Sequence, residues 1–156
     1  MEFEIKKEHS LLDKAFRYKE MLSAIKAITE KETNQMANLA NITAIIKDFF
    51  GFLWVGFYFV EDKNLVLGPF QGSPACTRIS YGKGVCGTAW KEQKTIIVPD
   101  VEQFAGHIAC SSKSKSEIVI PIFFKDKITM VLDIDSNQLN TFDETDQYYL
   151  EKIFKY

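Results

Sequence analysis

The stretch LWVGFYFV at residues 53–60, followed by EDKN at 61–64 and LVLGPF at 65–70, decides the fold class of this chain. Its flanks are rich in aromatic and β-branched residues and its middle is polar, so the stretch predicts a β-hairpin. A second hairpin is predicted over residues 117–135, centred on KDK at 125–127. Hairpins imply an antiparallel sheet, because parallel strands need long crossovers, and with adjoining helices they predict an α+β domain.

Helical patterns flank the hairpins. Residues 1–31 predict a helical extension packed on the domain, residues 32–50 predict a second helix, and Gly51 follows where a left-handed C-cap is expected. A closing helix is predicted near the C-terminus, where Thr141 and Glu144 have the spacing of a capping box. We expect helices to cover one sheet face and long loops to build a ligand pocket on the other. The apolar positions of the first helix are Leu11, Leu12, Phe16, Leu22, Ile25 and Ile28.

Length and composition limit the function classes. The 156 residues suit one domain, spanning 1–156, and 19 basic against 21 acidic residues give a net charge of −2. This balance argues against nucleic acid and membrane surfaces as partners, since both attract clustered cations. No apolar run reaches the roughly 20 residues of a membrane-spanning helix, and the N-terminus has no signal-peptide core. We therefore expect a cytoplasmic protein, in which cysteines are more often buried, metal-binding or catalytic than structurally paired.

The three cysteines lie in the loop-rich middle third, each on a glycine-flanked turn: Cys76, Cys86 and Cys110. Buried small hydrophobes are the alternative. Cys110 is the best candidate nucleophile, because the lysines of SSKSK at 111–115 would lower its pKa, although they also suit a solvated loop. His107 either pairs with Cys110 or bonds to the backbone. A zinc site built from Cys76, Cys86, Cys110 and His107 is a further alternative, but spacings of 10 and 24 residues between the cysteines do not match one, so no metal is expected.

A carboxylate cluster is predicted at one end of the second hairpin. Asp133 and Asp135 are two apart on a strand and share a face, and symmetric pairing around residues 125–127 places Glu117 opposite them. Such a cluster suits binding of a ligand ammonium, or a carboxylic acid with a raised pKa that donates a proton. A solvated strand end is the alternative. The glycine pattern at residues 82–87 lacks the βαβ context of a dinucleotide site and more simply leads a tight loop into a short helix.

These motifs together resemble the free methionine-(R)-sulfoxide reductase family, which is built on a GAF domain. The resemblance covers about residues 32–149, and a GAF sensor without catalysis has no reason to carry all three cysteines. Its motifs are WVGFY at 54–58, LGPFQG at 67–72, AC at 75–76, RI at 78–79, GKGVCG at 82–87, VPDV at 98–101, GHIAC at 106–110, SEIV at 116–119, LDIDS at 132–136 and FD at 142–143.

The resemblance implies a thiol mechanism for reducing free methionine (R)-sulfoxide. Cys110 would attack the sulfoxide sulfur and become a sulfenic acid, while one of the three carboxylates protonates the oxygen. By resemblance Cys76 is the resolving partner, which gives a Cys76–Cys110 disulfide, and Cys86 has an auxiliary or alternative resolving role. A thioredoxin-type reductant would restore the thiols, and no cofactor is required. The resemblance also suggests a homodimer.

Substrate-binding residues follow from the same resemblance. Trp54 and Tyr58 are four apart on a strand, share a face, and would wall the S-methyl group, with plain core aromatics as the alternative. The carboxylates Glu117, Asp133 and Asp135 not used as the acid would hold the ammonium, which would explain selectivity for the free amino acid. A non-catalytic GAF sensor that binds a small molecule or responds to redox state is the rival function.

Overall fold

One antiparallel sheet organises the part of the chain that the structure describes. The structure is a computed structural model that describes residues 2–108 and 110–154, and of residues 2–12 it describes the backbone alone. The sheet order is β3-β2-β1-β6-β5-β4. The strands are β1 (Trp54–Glu61), β2 (Asn64–Gln71), β3 (Arg78–Ser80), β4 (Ile96–Val98), β5 (Ser116–Phe124) and β6 (Lys127–Ser136).

The helices precede, interrupt and follow the sheet, so the predicted α+β class is confirmed. They are α1 (Glu2–Thr29), α2 (Gln35–Phe50), α3 (Gly84–Glu92) and α4 (Glu144–Glu151), with 3₁₀ turns at Val101–Gln103 and Lys152–Phe154. The predicted cap of α2 is confirmed: Gly51 has φ 65° and its N–H donates to the Lys47 carbonyl. No helix of the described residues is long and apolar enough to cross a membrane.

Alternation along β1 separates two cores, one on each face of the sheet. Val55 and Phe57 point toward α1, α2 and α4, where they join the larger apolar core. Trp54 and Tyr58 point to the opposite face, where they join a smaller core that includes residues of α3. The prediction of helices on one face and a pocket on the other is confirmed, with α3 as a short helix beside the pocket.

Two local predictions are wrong. Asp143, not Thr141, caps α4: the Asp143 carboxylate accepts the N–H groups of Thr145 and Asp146, and the Asp146 carboxylate accepts the Asp143 N–H. The Thr141 hydroxyl instead donates to Ser136. In α1 the prediction is wrong for Phe16 and Ile28, which are exposed, and right for Ile25 and Leu22, which pack in the core; Tyr18 and Met21, which were not predicted, are also buried. The side chains of Leu11 and Leu12 lie outside the described residues.

Candidate active site

The ends of β5 and β6 bring the three predicted carboxylates together. Glu117 is the direct cross-strand partner of Asp135, and Asp133 lies two residues before Asp135 on the same face of β6. This is the pairing expected from symmetry around residues 125–127. All three side chains line one pocket on the α3 face of the sheet. The hairpin register, which the turn and a bulge between Ile122 and Phe123 set together, therefore concentrates three acids at a single site.

Burial sets the protonation of this cluster. Glu117 and Asp133 are each only 6% exposed, so the alternative of a solvated strand end is wrong for both. Desolvation, followed by the charges of Asp133 and Asp135, raises the pKa of Glu117 well above its usual range. Desolvation likewise raises the pKa of Asp133 and, together with the Asp133 charge, that of Asp135. The cluster therefore favours protonated carboxyl groups, which can donate a proton.

The three carboxylates differ in their partners. The hydroxyl of Ser114 donates to Oδ1 of Asp135 at 2.6 Å. His107 places Nε2 3.9 Å from Oε2 of Glu117. By contrast, Oδ1 of Asp133 is buried with no hydrogen-bond partner among the described residues. An unpartnered buried oxygen is unfavourable in the protein alone and marks the place where a ligand can supply a donor or a cation.

The cysteines occupy two different environments. Cys76 and Cys110 form a disulfide with a Cα–Cα distance of 5.5 Å, both are partly exposed, and Cys110 lines the pocket. Cys86 is free and buried at the start of α3. Desolvation, and then the negative charge of Asp133, raises the pKa of Cys86 well above its usual range. Cys86 is consequently held as a thiol, and it is a poor nucleophile compared with a cysteine in a loop.

The potential metal ligands that lie close together in the structure differ from the set considered in the sequence analysis. The disulfide ties up two thiols of a set built from Cys76, Cys86, Cys110 and His107. The donor atoms that do lie together, within 4.8 Å of one another, belong to Cys86, Glu117 and Asp133.

Trp54 and Tyr58 form an aromatic wall of the pocket and are also core residues, so both readings of them apply. Their ring centroids are 6.0 Å apart. Gly56 lies between them, and a Cβ there would be 2.2 Å from the Trp54 ring, so the indole can lie over the strand only because residue 56 is glycine. The Trp54 Nε1–H donates to the Ser73 carbonyl, and the Tyr58 hydroxyl donates to the Cys76 carbonyl at 2.9 Å. The wall thus holds the loop that carries Cys76.

Sequence reasoning missed several pocket residues. Ser114 is buried although it sits in the polar run SSKSK, whose lysines are exposed. Gly84 has φ +61°, and a Cβ at this position would lie 3.2 Å from the Ile108 side chain, so the loop closes directly over the start of α3. The exposed Lys83 also lines the pocket. The only sequence signal for these contacts was the clustering of glycines at residues 82–87.

Comparison with known proteins gives consistent matches. The GAF domain family model matches residues 37–154. GAF domain-containing protein A of Dictyostelium discoideum is 59% identical over 140 residues, covering 89% of each chain. Free methionine-R-sulfoxide reductase of Escherichia coli is 42% identical over 143 residues, covering 91% of this chain and 87% of that protein. The structure of free methionine-R-sulfoxide reductase from Neisseria meningitidis with its substrate has a TM-score of 0.89 and 51% identity, and the match covers 91% of this chain and 86% of that one.

Proposed function

This chain belongs to the GAF-domain family of free methionine-R-sulfoxide reductases, and from this premise we propose that it reduces free L-methionine (R)-S-oxide to L-methionine. One observation carries the proposal: a Cys76–Cys110 disulfide borders a pocket that three carboxylates line. A thiol pair beside buried acids supplies both the electrons and the proton that sulfoxide reduction requires.

The chemistry begins at Cys110. Its sulfur attacks the sulfoxide sulfur while a protonated carboxyl group donates a proton to the sulfoxide oxygen. The S–O bond of the substrate breaks, the oxygen ends on Cys110 as a sulfenic acid, and methionine leaves as the thioether. The Cys76 thiol then attacks the Cys110 sulfur, water leaves, and the disulfide forms. A thioredoxin-type dithiol returns both cysteines to thiols by exchange.

Glu117 is the best-supported proton donor. It is buried opposite Asp135 and near Asp133, and desolvation with the charges of these two carboxylates raises its pKa well above the usual range, which favours the protonated form. Asp135 and Asp133 are then assigned to the substrate ammonium. Ionising one of them becomes favourable when a cation arrives, since an opposite charge offsets the desolvation that raises their pKa values.

The remainder of the pocket suits the α-carboxylate and the S-methyl group of free methionine sulfoxide. The N-terminus of α3, at Gly84 and Val85, lines the pocket with Lys83 beside it, and together they offer amide N–H groups and a cation to an α-carboxylate. Trp54 and Tyr58 face the S-methyl group, where contacts between an aromatic ring and sulfur are favourable. A peptide-bound residue lacks the free ammonium and carboxylate, and we propose that this explains selectivity for the free amino acid.

The test is an assay of methionine formation with dithiothreitol as reductant. We expect turnover of the free R-sulfoxide, none of the S-sulfoxide, and a large loss with N-acetylmethionine sulfoxide. Cys110→Ser should be inactive, and mapping of oxidised wild type by mass spectrometry should find the Cys76–Cys110 bond. Activity retained by Cys110→Ser would contradict the nucleophile assignment. Binding without turnover in wild type would favour the rival, a non-catalytic sensor. A thioredoxin-type partner and a homodimer stay predictions from the family resemblance, and a cytoplasmic location stays a prediction from the sequence.

A further inference from the structure

We propose that the pocket also binds a thiophilic divalent cation, of the Zn²⁺ class, through Cys86, Glu117 and Asp133, and that this cation excludes the substrate. The cation is a competing ligand in this proposal and not a resident cofactor. The binding half stands on the donor geometry alone, whereas the competitive half rests on the proposed function.

The donor set is compact and buried. One ligand atom from each of Cys86, Glu117 and Asp133 lies within 4.8 Å of the other two, and all three residues are buried. Zinc bonds of about 2.3 Å to sulfur and about 2.1 Å to oxygen place tetrahedral ligand atoms roughly 3.5 Å apart. Small side-chain rotations would bring the three ligand atoms, which lie within 4.8 Å of one another, to this separation. All three residues also line the pocket, so a cation has an entry path.

A second, independent observation points to a missing partner. Oδ1 of Asp133 is buried with no hydrogen-bond partner among the described residues, whereas Oδ1 of the neighbouring Asp135 accepts from Ser114. A buried carboxylate oxygen without a donor is unfavourable, and a cation is one of the few groups that satisfies it. Asp133 therefore brings to the donor set a buried oxygen that no hydrogen bond of the described residues satisfies.

His107 lies beside the donor set but is not part of it. Its Nε2 lies 3.9 Å from Oε2 of Glu117, and its side chain is 17% exposed. A set of one thiolate and two carboxylates suits zinc or cobalt, whereas Mg²⁺ and Ca²⁺ prefer oxygen ligands alone. The loop that carries His107 also carries Cys110, so cation binding would act where the chemistry begins.

Competition follows from shared residues. Glu117 and Asp133 are the groups proposed to protonate the sulfoxide and hold the ammonium. A bound cation occupies both, so the substrate and the cation cannot be held together. This also gives the buried Cys86 a chemical role that the thiol cycle between Cys76 and Cys110 leaves open.

The binding test uses the oxidised protein, in which the Cys76–Cys110 disulfide leaves Cys86 as the remaining thiol of the three cysteines. Co²⁺ is titrated in, and thiolate-to-metal charge-transfer absorption in the near ultraviolet is recorded. We expect one Co²⁺ per chain, displaced by Zn²⁺. Cys86→Ala should abolish the charge-transfer band, and Asp133→Asn should weaken binding at least tenfold. Asp135→Asn, which removes a neighbouring carboxylate outside the donor set, should change affinity less than threefold.

The oxidised wild type decides the binding half without any variant. Absence of the charge-transfer band, or a band that survives in Cys86→Ala, would overturn the site. For competition, methionine (R)-sulfoxide is added to the cobalt-loaded oxidised protein, with the S-epimer and glycine as controls for metal chelation in solution. The R-epimer alone should remove the band. Equal effects of all three would overturn competition. A protein that binds cobalt but does not turn over substrate would contradict the proposed function and leave the cation site standing.

Discussion

Reduction of the Cys76–Cys110 disulfide is expected to lower the free energy of unfolding by about 4 kcal/mol. The two cysteines are separated by 34 residues, and closing a loop of that length removes chain entropy from the unfolded state worth about 4 kcal/mol at 25 °C. For a chain of this size each kcal/mol shifts the melting temperature by roughly 2–4 °C, so the reduced protein should melt about 10 °C below the oxidised one. The proposed catalytic cycle would then alternate between two states of different stability.

The measurement is a thermal melt of one preparation in two states. The oxidised state is generated by methionine (R)-sulfoxide without reductant, and the reduced state by a phosphine, in the same buffer. Cys86→Ser is the matched control and should keep the full difference, whereas Cys76→Ser should lose it. A difference under about 2 °C in wild type would contradict the pairing and its entropy. Loss of the difference in Cys86→Ser would indicate that Cys86 takes part in the bond.

Three further substitutions separate chemistry, loop positioning and fold. Glu117→Gln should lower kcat about 100-fold or more in initial-rate assays, because it removes the proposed proton donor. The same substitution should raise the melting temperature at pH 8 but not at pH 4. The pKa of Glu117 is higher in the folded than in the unfolded protein, so its contribution to stability is complete below the unfolded pKa and is lost as pH rises through the folded pKa. Glutamine stays neutral and does not lose this contribution. Tyr58→Phe removes the hydrogen bond to the Cys76 carbonyl, and in rapid-quench experiments it should slow disulfide formation while leaving the first release of methionine unchanged. Lys14→Met leaves the buried carboxylate of Asp146 without its cation, so urea unfolding should show a loss of about 3 kcal/mol with unchanged kinetic constants.

The hairpin that carries the site could be predicted because its determinants are local. Successive side chains of β5 and β6 face the two cores on opposite sides of the sheet, and a slip by one residue would exchange the face of every side chain. A two-residue turn, Lys125 and Asp126, both with positive φ, sets the pairing at the tip. Counting outward from this turn alone would place Glu117 opposite Ile134. A bulge between Ile122 and Phe123 shifts every later pair by one residue and brings Glu117 opposite Asp135, so the predicted opposition depends on the turn and the bulge together.

The details that sequence reasoning missed depend on contacts distant in the chain. Thr141 has the spacing of a helix cap, but its hydroxyl is taken by Ser136, and Asp143 caps α4 instead. Ser114 belongs to a polar run that reads as solvated, yet Asp135, 21 residues away, draws its hydroxyl into the pocket. In α1, which packs against α2 and α4, the apolar pattern found Leu22 and Ile25 but missed Tyr18 and Met21. A local pattern shows that a residue can cap a helix, form a hydrogen bond or pack in a core. Which of these it does depends on neighbours that are distant in the chain.

The cysteines occupy unequal environments: Cys86 and Cys110 line the pocket, and Cys76 is joined to Cys110 by the disulfide. Burial and the negative charge of Asp133 raise the pKa of Cys86, so in the proposed mechanism this thiol does not compete for the sulfoxide. Cys76 and Cys110 lie on partly exposed loops, where an external dithiol can reach the disulfide. The same buried charge that quiets Cys86 favours a neutral Glu117, which the departing oxygen needs. In the proposed mechanism the buried Glu117 is the acid and the partly exposed Cys110 is the nucleophile, and either the substrate ammonium or the proposed cation supplies the partner that the buried oxygen of Asp133 lacks.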